Sequence, residues 1–298
     1  MKKLALLLAA LGVMSATTFA AESALRITNV GQEVEIENTS GGQDIGESVY
    51  FGTSVGLAYK DWTFGVIGAK RWSVDTDDVD SITGRVVLDA WKNYDNYKLG
   101  FRFRSEKDYD RYYGRVAWNH NMLWGSADVW YESKTKSDAA DANDTLRGEI
   151  YPIGVQYKGV RLGWFVDYTK TLGGVETKTV DGKVVGGLED SFEHQLRFYA
   201  PLYKGEKLTV QTEIRHTLHA DKNFKKHRDT GDKVAYKVYD DFGRTRVYLK
   251  NNYKVNESLN VYFNYAYEFR DWEAKDGTVN TDSDRYFGDI VFGWNYKF

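Results

Sequence analysis

The chain has 298 residues, 28% of them charged, with 40 Lys and Arg set against 43 Asp and Glu for a formal net charge of −3. A balance this even leaves no electrostatic footprint for a nucleic-acid partner, and the lack of Cys excludes a disulfide framework and any thiolate metal site. The mean hydropathy of −0.56 leaves no helix to cross a membrane beyond the N-terminus, whereas 15% aromatic residues and only two prolines, Pro152 and Pro201, permit long strands.

Residues 1–20 read as a secretory signal peptide. Lys2 and Lys3 form a positive start, Leu4 to Val13 is an apolar run too short to span a bilayer, and Thr18-Phe-Ala20 places small residues where a signal peptidase reads. Cleavage after Ala20 is expected, with residues 21–298 forming the folded unit.

From there the chain alternates with a period of two, the signature of strands with unlike faces. Over Val30 to Asn38, Val34 and Ile36 face one way and Glu33, Glu35 and Glu37 the other. Val49, Phe51, Thr53, Val55, Leu57 and Tyr59 share a face, followed after Lys60-Asp61 by Trp62, Phe64 and Val66, and then by Gly84, Val86, Leu88 and Ala90. Tyr97, Leu99, Phe101 and Phe103 oppose Lys98, Arg102 and Arg104; Tyr112, Val116 and Trp118 oppose Arg111, Tyr113 and Arg115; Leu123, Ala127, Val129 and Tyr131 oppose Trp124, Asp128, Trp130 and Glu132. Tyr151, Ile153, Val155 and Tyr157 share the next apolar face, and Val160, Leu162, Trp164, Val166 and Tyr168 oppose Arg161, Phe165 and Asp167. The pattern repeats over Phe192–Tyr199, Leu208–Arg215, Arg244–Lys250 and Leu259–Arg270, and closes over Tyr286–Phe298, where Trp294, Phe292 and Ile290 share one face and the final residue is aromatic.

Connections alternate in length. Short ones fall near Lys60, Asn93 to Asn96, His120 to Met122, Lys158, Tyr203 to Glu206 and Val255 to Glu257; longer ones fall near Thr39 to Glu47, Ser73 to Ser81, Lys134 to Leu146, Thr171 to Asp190, Ala220 to Asp241 and Asp271 to Asp284. Glu106 to Asp110 is the exception, being short where the alternation calls for length. Aromatic residues gather near strand ends, at the depth where amphipathic rings meet headgroups. Strands of about ten residues, short turns on one side and long loops on the other predict an all-β, transmembrane, up-and-down antiparallel β-barrel of about fourteen strands. An even count places both termini on the periplasmic side.

If the apolar set faces lipid, the opposite set lines the lumen. Its positive members include Arg85, Arg102, Arg104, Arg111, Arg115, Arg161, Arg197, Arg215, Arg244, Arg246, Lys250 and Arg270; its negative members include Glu33, Glu35, Glu37, Asp89, Asp128, Glu132, Asp167, Glu193, Glu213, Glu268 and Asp289. Charges at this density need water or partners, because each costs several kcal/mol to bury alone. About eight strands already enclose a side-chain-filled interior, so about fourteen enclose a water-filled channel. The arginines on two neighbouring strands, Arg102 and Arg104 with Arg111 and Arg115, either bias permeation or brace the wall by pairing.

The last hairpin, Ser258-Leu-Asn-Val-Tyr-Phe-Asn-Tyr-Ala-Tyr-Glu-Phe-Arg-Asp271 with Asp284-Arg-Tyr and Asn295-Tyr-Lys-Phe298, resembles the end of the outer-membrane porin G family. So do Glu35-Ile-Glu-Asn38 with Ser48-Val-Tyr-Phe51, Leu196-Arg-Phe-Tyr-Ala-Pro-Leu202 and Asp241-Phe-Gly-Arg244, in the same order along the chain. The resemblance implies a monomeric fourteen-stranded porin with a wide, weakly selective pore for sugars and other small solutes. Related oligosaccharide-specific channels, smaller and with more basic lumens, are the near alternative. The family gates with pH through a histidine pair near the rim. The matching places here hold Tyr239-Asp240 and Trp272, so the resemblance does not extend to that gate. His216, His219 and His227 lie near one long connection and are the candidate pH-sensing residues.

Other classes leave weaker traces. A barrel protease or lipase needs a His with a positioned acid or Ser, and only His216 and His219 with Asp221 approach this. Asp75 to Asp80 offers oxygen ligands for a hard cation but lacks the glycine and terminal glutamate of a calcium loop. The long loops at 171–190 and 220–241 are long enough to fold inward as a plug. The expectation is a bacterial outer-membrane porin that uses no cofactor or metal, performs no chemistry, and has outer-membrane lipid, lipopolysaccharide and small hydrophilic solutes as its partners.

Overall fold

A computed structural model describes residues 24–39, 46–74, 79–134, 144–172, 178–180, 183–185, 190–221, 225–226, 236–274 and 286–298. Fourteen long strands make up the wall: β1 Arg26–Thr39, β2 Gly46–Tyr59, β3 Trp62–Val74, β4 Val79–Asn93, β5 Tyr97–Ser105, β6 Tyr109–His120, β7 Leu123–Lys134, β8 Thr145–Tyr157, β9 Val160–Thr171, β10 Ser191–Lys204, β11 Leu208–Asp221, β12 Tyr236–Lys254, β13 Leu259–Ala274 and β14 Tyr286–Lys297. Each pairs antiparallel with its successor. β1 then pairs with β14 from Asn29 opposite Lys297 to Thr39 opposite Phe287, which closes the sheet into a barrel. Outside the wall, Lys178–Val180 pairs with Lys183–Val185, and Lys225–Lys226 pairs with the start of β12. No helix occurs among the described residues.

The two faces are inverted relative to a soluble fold. Phe101 is 51% exposed and Phe292 55% on the outside, whereas Glu193 and Glu268 are each 1% exposed on the inside. Leu88, Leu99, Leu162, Trp164 and Phe263 join the exposed set, so the outer wall is a continuous apolar belt. Tyr59, Trp62, Tyr97, Tyr157, Tyr253 and Tyr296 are exposed toward the short-turn rim, and Tyr112, Tyr131 and Tyr168 toward the opposite one. An apolar belt between aromatic girdles is what a bilayer requires of a barrel.

The short turns are built by backbone chemistry. Lys158 (φ 48°) and Gly159 (φ 86°) both take left-handed conformations, the form whose twist matches the flanking strands of a two-residue hairpin. Lys60 (φ 51°) and Asn121 (φ 54°) adopt the same region in the neighbouring short turns.

The structure departs from the sequence reading in two ways. On the long-connection side the strands run further than alternation shows: β4 begins at Val79 and β12 at Tyr236, so the expected connections at 73–81 and 220–241 are shorter. Beyond the belt a hairpin needs only its backbone ladder, and polar residues on both faces satisfy that as well as alternating ones. The second departure is one of phase. A register shift between Ile150 and Ile153 coincides with Pro152, which has no N–H to give the ladder. Tyr151, expected outside with Ile153, instead points inward, its hydroxyl 2.8 Å from that of Tyr199 and 3.0 Å from the Arg197 guanidinium.

Charge placed at the middle of the belt should be far costlier than charge at its rim. Phe101→Arg is expected to destabilise the barrel by about 2–4 kcal/mol, and Tyr97→Arg by less than about 1 kcal/mol. Equilibrium folding into lipid bilayers across a urea series measures both.

Candidate functional site

The inner wall is the chemically distinctive surface. Across β4 to β7 the cross-strand register sets Asp89 opposite Arg102, Arg104 opposite Arg111, Arg111 opposite Glu132 and Arg115 opposite Asp128. The pairs form accordingly. Asp89 accepts two bonds of 2.9 Å from Arg102 and one of 2.7 Å from Arg115, which also reaches Asp128 at 3.0 Å. Glu106 accepts from Arg85 at 2.6 Å and also from Arg104, while Glu132 takes Arg111 and, at 2.7 Å, Lys134. The four arginines predicted as a positive wall are thus each held by a carboxylate, which separates adjacent guanidinium groups.

A second network spans β10 to β13. Glu193 accepts from Thr217 at 2.5 Å and Gln195 at 2.7 Å and pairs with Arg244 at 3.3 Å. Glu268 takes Arg244 at 2.9 Å and Arg246 at 2.6 Å, with Arg270 at 4.0 Å. Glu213 holds Arg215 at 2.5 Å and also Lys250. The most buried carboxylates are therefore those with the most donors, as charge burial demands.

Between the networks the register aligns four carboxylates on successive strands: Asp128 opposite Glu149, Glu149 opposite Asp167, Asp167 opposite Glu193. Asp128 and Glu193 belong to the networks. Glu149 and Asp167 make no hydrogen bond or ion pair among the described residues. Like charges directly opposite repel; here the Arg197 and Arg147 guanidinium groups lie close enough to Glu149 to offset part of the repulsion, and the Glu149 side chain is exposed to the interior. Glu149 and Asp167 border a recess of about 150 Å³ whose other walls include Arg197, Arg215, Arg244 and Arg246. On the β1 and β14 wall, Glu37 pairs with Arg71 at 3.1 Å and Glu33 accepts from Tyr262 at 3.0 Å, while Glu35 shares their face and Asp289 stands opposite Glu37.

The structure thus brings the listed charges together on one surface, the inner one. Arg161 lies 3.9 Å over the Trp124 ring and Arg197 3.3 Å over Phe165, both inside. Several inner residues escape the sequence reading. Glu149 and Arg147 were hidden by the Pro152 bulge, which reverses the phase set by Ile153 and Tyr157. Glu106, in the short connection between β5 and β6, is absent from the predicted inner set, and there it anchors Arg85 and Arg104. The histidines lie elsewhere. His216 bonds Thr245 at 2.8 Å and His219 bonds Asp241 at 2.7 Å, both on the outer phase near the long-connection rim. His194 joins them there, stacked on Trp164 with ring centroids 5.5 Å apart. His227, residues 1–23 and residues 75–78 fall outside the described residues. The backbones of Tyr239 and Trp272 pair across β12 and β13. Among the described residues no group of three His, Asp or Glu is placed to hold a metal ion.

No family model matches the chain, and no curated protein matches it. Solved structures do resemble it. A bacterial polysaccharide outer membrane secretin aligns over 94% of this chain and 100% of its own, at 9% identity and a TM-score of 0.50. An anion-selective porin from Comamonas acidovorans aligns over 92% of this chain and 100% of its own, at 10% identity and a TM-score of 0.44. OprD of Pseudomonas aeruginosa aligns over 94% and 98%, at 10% identity and a TM-score of 0.45. Identities this low make the likeness one of fold. The chain has the fold of an outer-membrane barrel.

The Glu268 carboxylate should be indispensable to its two arginines. Glu268→Gln leaves Arg244 and Arg246 without their shared counter-charge and is expected to destabilise the barrel by about 3 kcal/mol. Glu257→Gln, in an exposed turn, should change it by less than about 0.5 kcal/mol. Urea unfolding of the two variants gives the comparison.

Proposed function

We propose that this chain is an outer-membrane porin through which small hydrophilic solutes, sugars and ions among them, pass by diffusion. The observation that carries the reading is the pair Glu149 and Asp167, two carboxylates opposite one another on the inner wall that make no hydrogen bond or ion pair among the described residues. Water reaches this pair, Glu149 being exposed on the inner side, and lowers the cost of holding two carboxylates together; the circumference of fourteen strands leaves room for it. A continuous hydrated interior within an apolar belt is a conduit. In this reading residues 1–20 direct export and are removed. The apolar wall meets outer-membrane lipid and, on its long-connection half, lipopolysaccharide. The short turns face the periplasm. The barrel acts as a monomer, with no cofactor and no bond-making step. The matches in chain order to the porin G family support the finer assignment within the porins. The inner-wall arginines and carboxylates, ion-paired into two networks, set the electrostatic profile that a passing solute meets.

Reconstitution of the full chain in planar bilayers tests the reading. Steady ohmic current, with sugar uptake by proteoliposomes, is the expected result. An absence of current would favour a plugged barrel, and cleavage of lipid or peptide without current would favour an enzyme. A second measurement addresses the wall charges. Replacing Arg102, Arg104, Arg111 and Arg115 together with Gln removes the arginine partners of Asp89 and Asp128 and leaves Glu106 to Arg85 and Glu132 to Lys134; it should move the reversal potential in a salt gradient toward cation preference.

A further inference from the structure

The inner wall is divided along its length as well as around it. Toward the long connections, β10 to β13 carry the ion-paired network of Glu193, Glu268, Arg244 and Arg246. Toward the short turns, the same wall is lined mainly by amides and hydroxyls, with Lys250 paired to Glu213. There Thr209, Gln211, Lys250, Asn252, Tyr262 and Asn264 line a recess of about 370 Å³. Asn251 completes the lining from the other phase of β12, and these six project from one face: Thr209 stands opposite Asn252 and Gln211 opposite Lys250 on β11 and β12, and Asn252 stands opposite Tyr262 and Lys250 opposite Asn264 on β12 and β13.

Two features distinguish this recess from the rest of the wall. The side chains of Gln211, Asn252 and Asn264 make no hydrogen bond among the described residues, so each amide keeps both its donors and its acceptor. Three lining groups are committed: Lys250 on Glu213, the Tyr262 hydroxyl on Glu33 at 3.0 Å, and the Asn251 amide, which donates to the Phe263 carbonyl at 3.0 Å. The second feature is the Tyr262 ring. A Cβ added at Gly293 would fall 2.4 Å from its Cζ and Oη, so the tip of the ring lies over β14 where only a glycine leaves room for it, on the way to Glu33. Trp124 likewise lies over Gly154 and Gly163, but Arg161 covers its free face at 3.9 Å. Trp91 is covered by Arg115 at 4.4 Å and Lys98 at 4.4 Å. No cation covers Tyr262 among the described residues.

From this juxtaposition we infer that the recess is a binding subsite for a neutral pyranose sugar. Such a ring has one apolar C–H face, which suits an uncovered aromatic ring, and a rim of hydroxyls that both donate and accept, which suits uncommitted amides better than ion-paired charges. The recess lies within the volume range of small-ligand sites. The inference rests on the diffusion-channel reading and adds to it a station on the periplasmic half of the path, where a sugar pauses before release.

Current through the full chain in planar bilayers, with maltotriose added on the short-turn side, tests the subsite. The expected result is a saturable block, absent with a polyethylene glycol of equal hydrodynamic radius. Tyr262→Leu should raise the half-blocking concentration about tenfold or more, Asn252→Leu and Asn264→Leu about fivefold each, and Tyr262→Phe, which keeps the ring, by less than twofold. Salt conductance in the absence of sugar shows whether each variant forms an open barrel. A block that scales only with solute size, matching the polymer, overturns the subsite while leaving the channel. A saturable block unchanged in Tyr262→Leu, Asn252→Leu and Asn264→Leu also overturns it. A wild-type barrel that carries no salt current overturns the channel reading itself, and the subsite with it.

Discussion

Everything in this molecule depends on the closure of β1 against β14. A sheet with an apolar outer face cannot stay in hydrocarbon while one edge presents unpaired N–H and C=O groups, since nothing there replaces the missing bonds. The ladder from Asn29 and Lys297 to Thr39 and Phe287 removes that edge. The amide of Phe298 extends the seam by donating to the Thr28 carbonyl at 3.1 Å. Closure of so many strands also fixes the interior: a bore too wide for one layer of side chains to fill, and therefore a place where charge is tolerated. The arginines and carboxylates of the inner wall are in this sense consequences of the seam.

Within that bore, ion pairing follows strand register. Cross-strand neighbours such as Asp89 with Arg102 and Arg115 with Asp128 meet because antiparallel pairing places them opposite one another. Longer reaches, such as Arg244 on β12 to Glu193 on β10, bridge an intervening strand whose own contribution, Thr217, donates to the same carboxylate. The wall is thus braced around its circumference by side chains as well as along its backbone ladders. This answers a choice the amino-acid sequence left open. The arginines of β5 and β6 brace the wall, and because their partners are also on the inner surface they shape its field at the same time.

Period-two alternation made most of the architecture legible, because a lipid-facing strand must obey it at every second residue: Phe101 and Phe103 against Arg102 and Arg104 leave no other phase. Legibility failed where lipid ceases to constrain the chain. Above the belt, β12 runs back to Tyr236 through residues that show no alternation, since water accepts either face. It failed again at Pro152, where one bulged residue reverses the odd and even sets. Everything before it, Glu149 and Arg147 included, then reads as belonging to the wrong side. Glu106 was missed for a related reason. Its short connection broke the rule of alternating loop lengths, and the carboxylate that holds Arg85 and Arg104 lies within that connection. The recess around Tyr262 was beyond reach of periodicity, which says which residues face inward but not which amides remain uncommitted.

Aromatic rings laid over glycines connect the fold to its use. A Trp or Tyr standing off the inner wall would narrow the bore, and one laid on a neighbouring strand needs a residue without a Cβ beneath it. Trp124 over Gly154 and Gly163, and Tyr262 over Gly293, meet that requirement. Each ring covers backbone on the adjoining strands, where it shields the ladder from water in the lumen, and adds little to the radial thickness of the wall. What then differs is the upper face. Arg161 over Trp124 makes that surface cationic, whereas among the described residues no cation lies over Tyr262, whose neighbours in the recess are amides, a threonine and the paired Lys250. Two surfaces of opposite chemical character thus arise from one packing rule, and the difference lies in whether an arginine sits within reach of the ring.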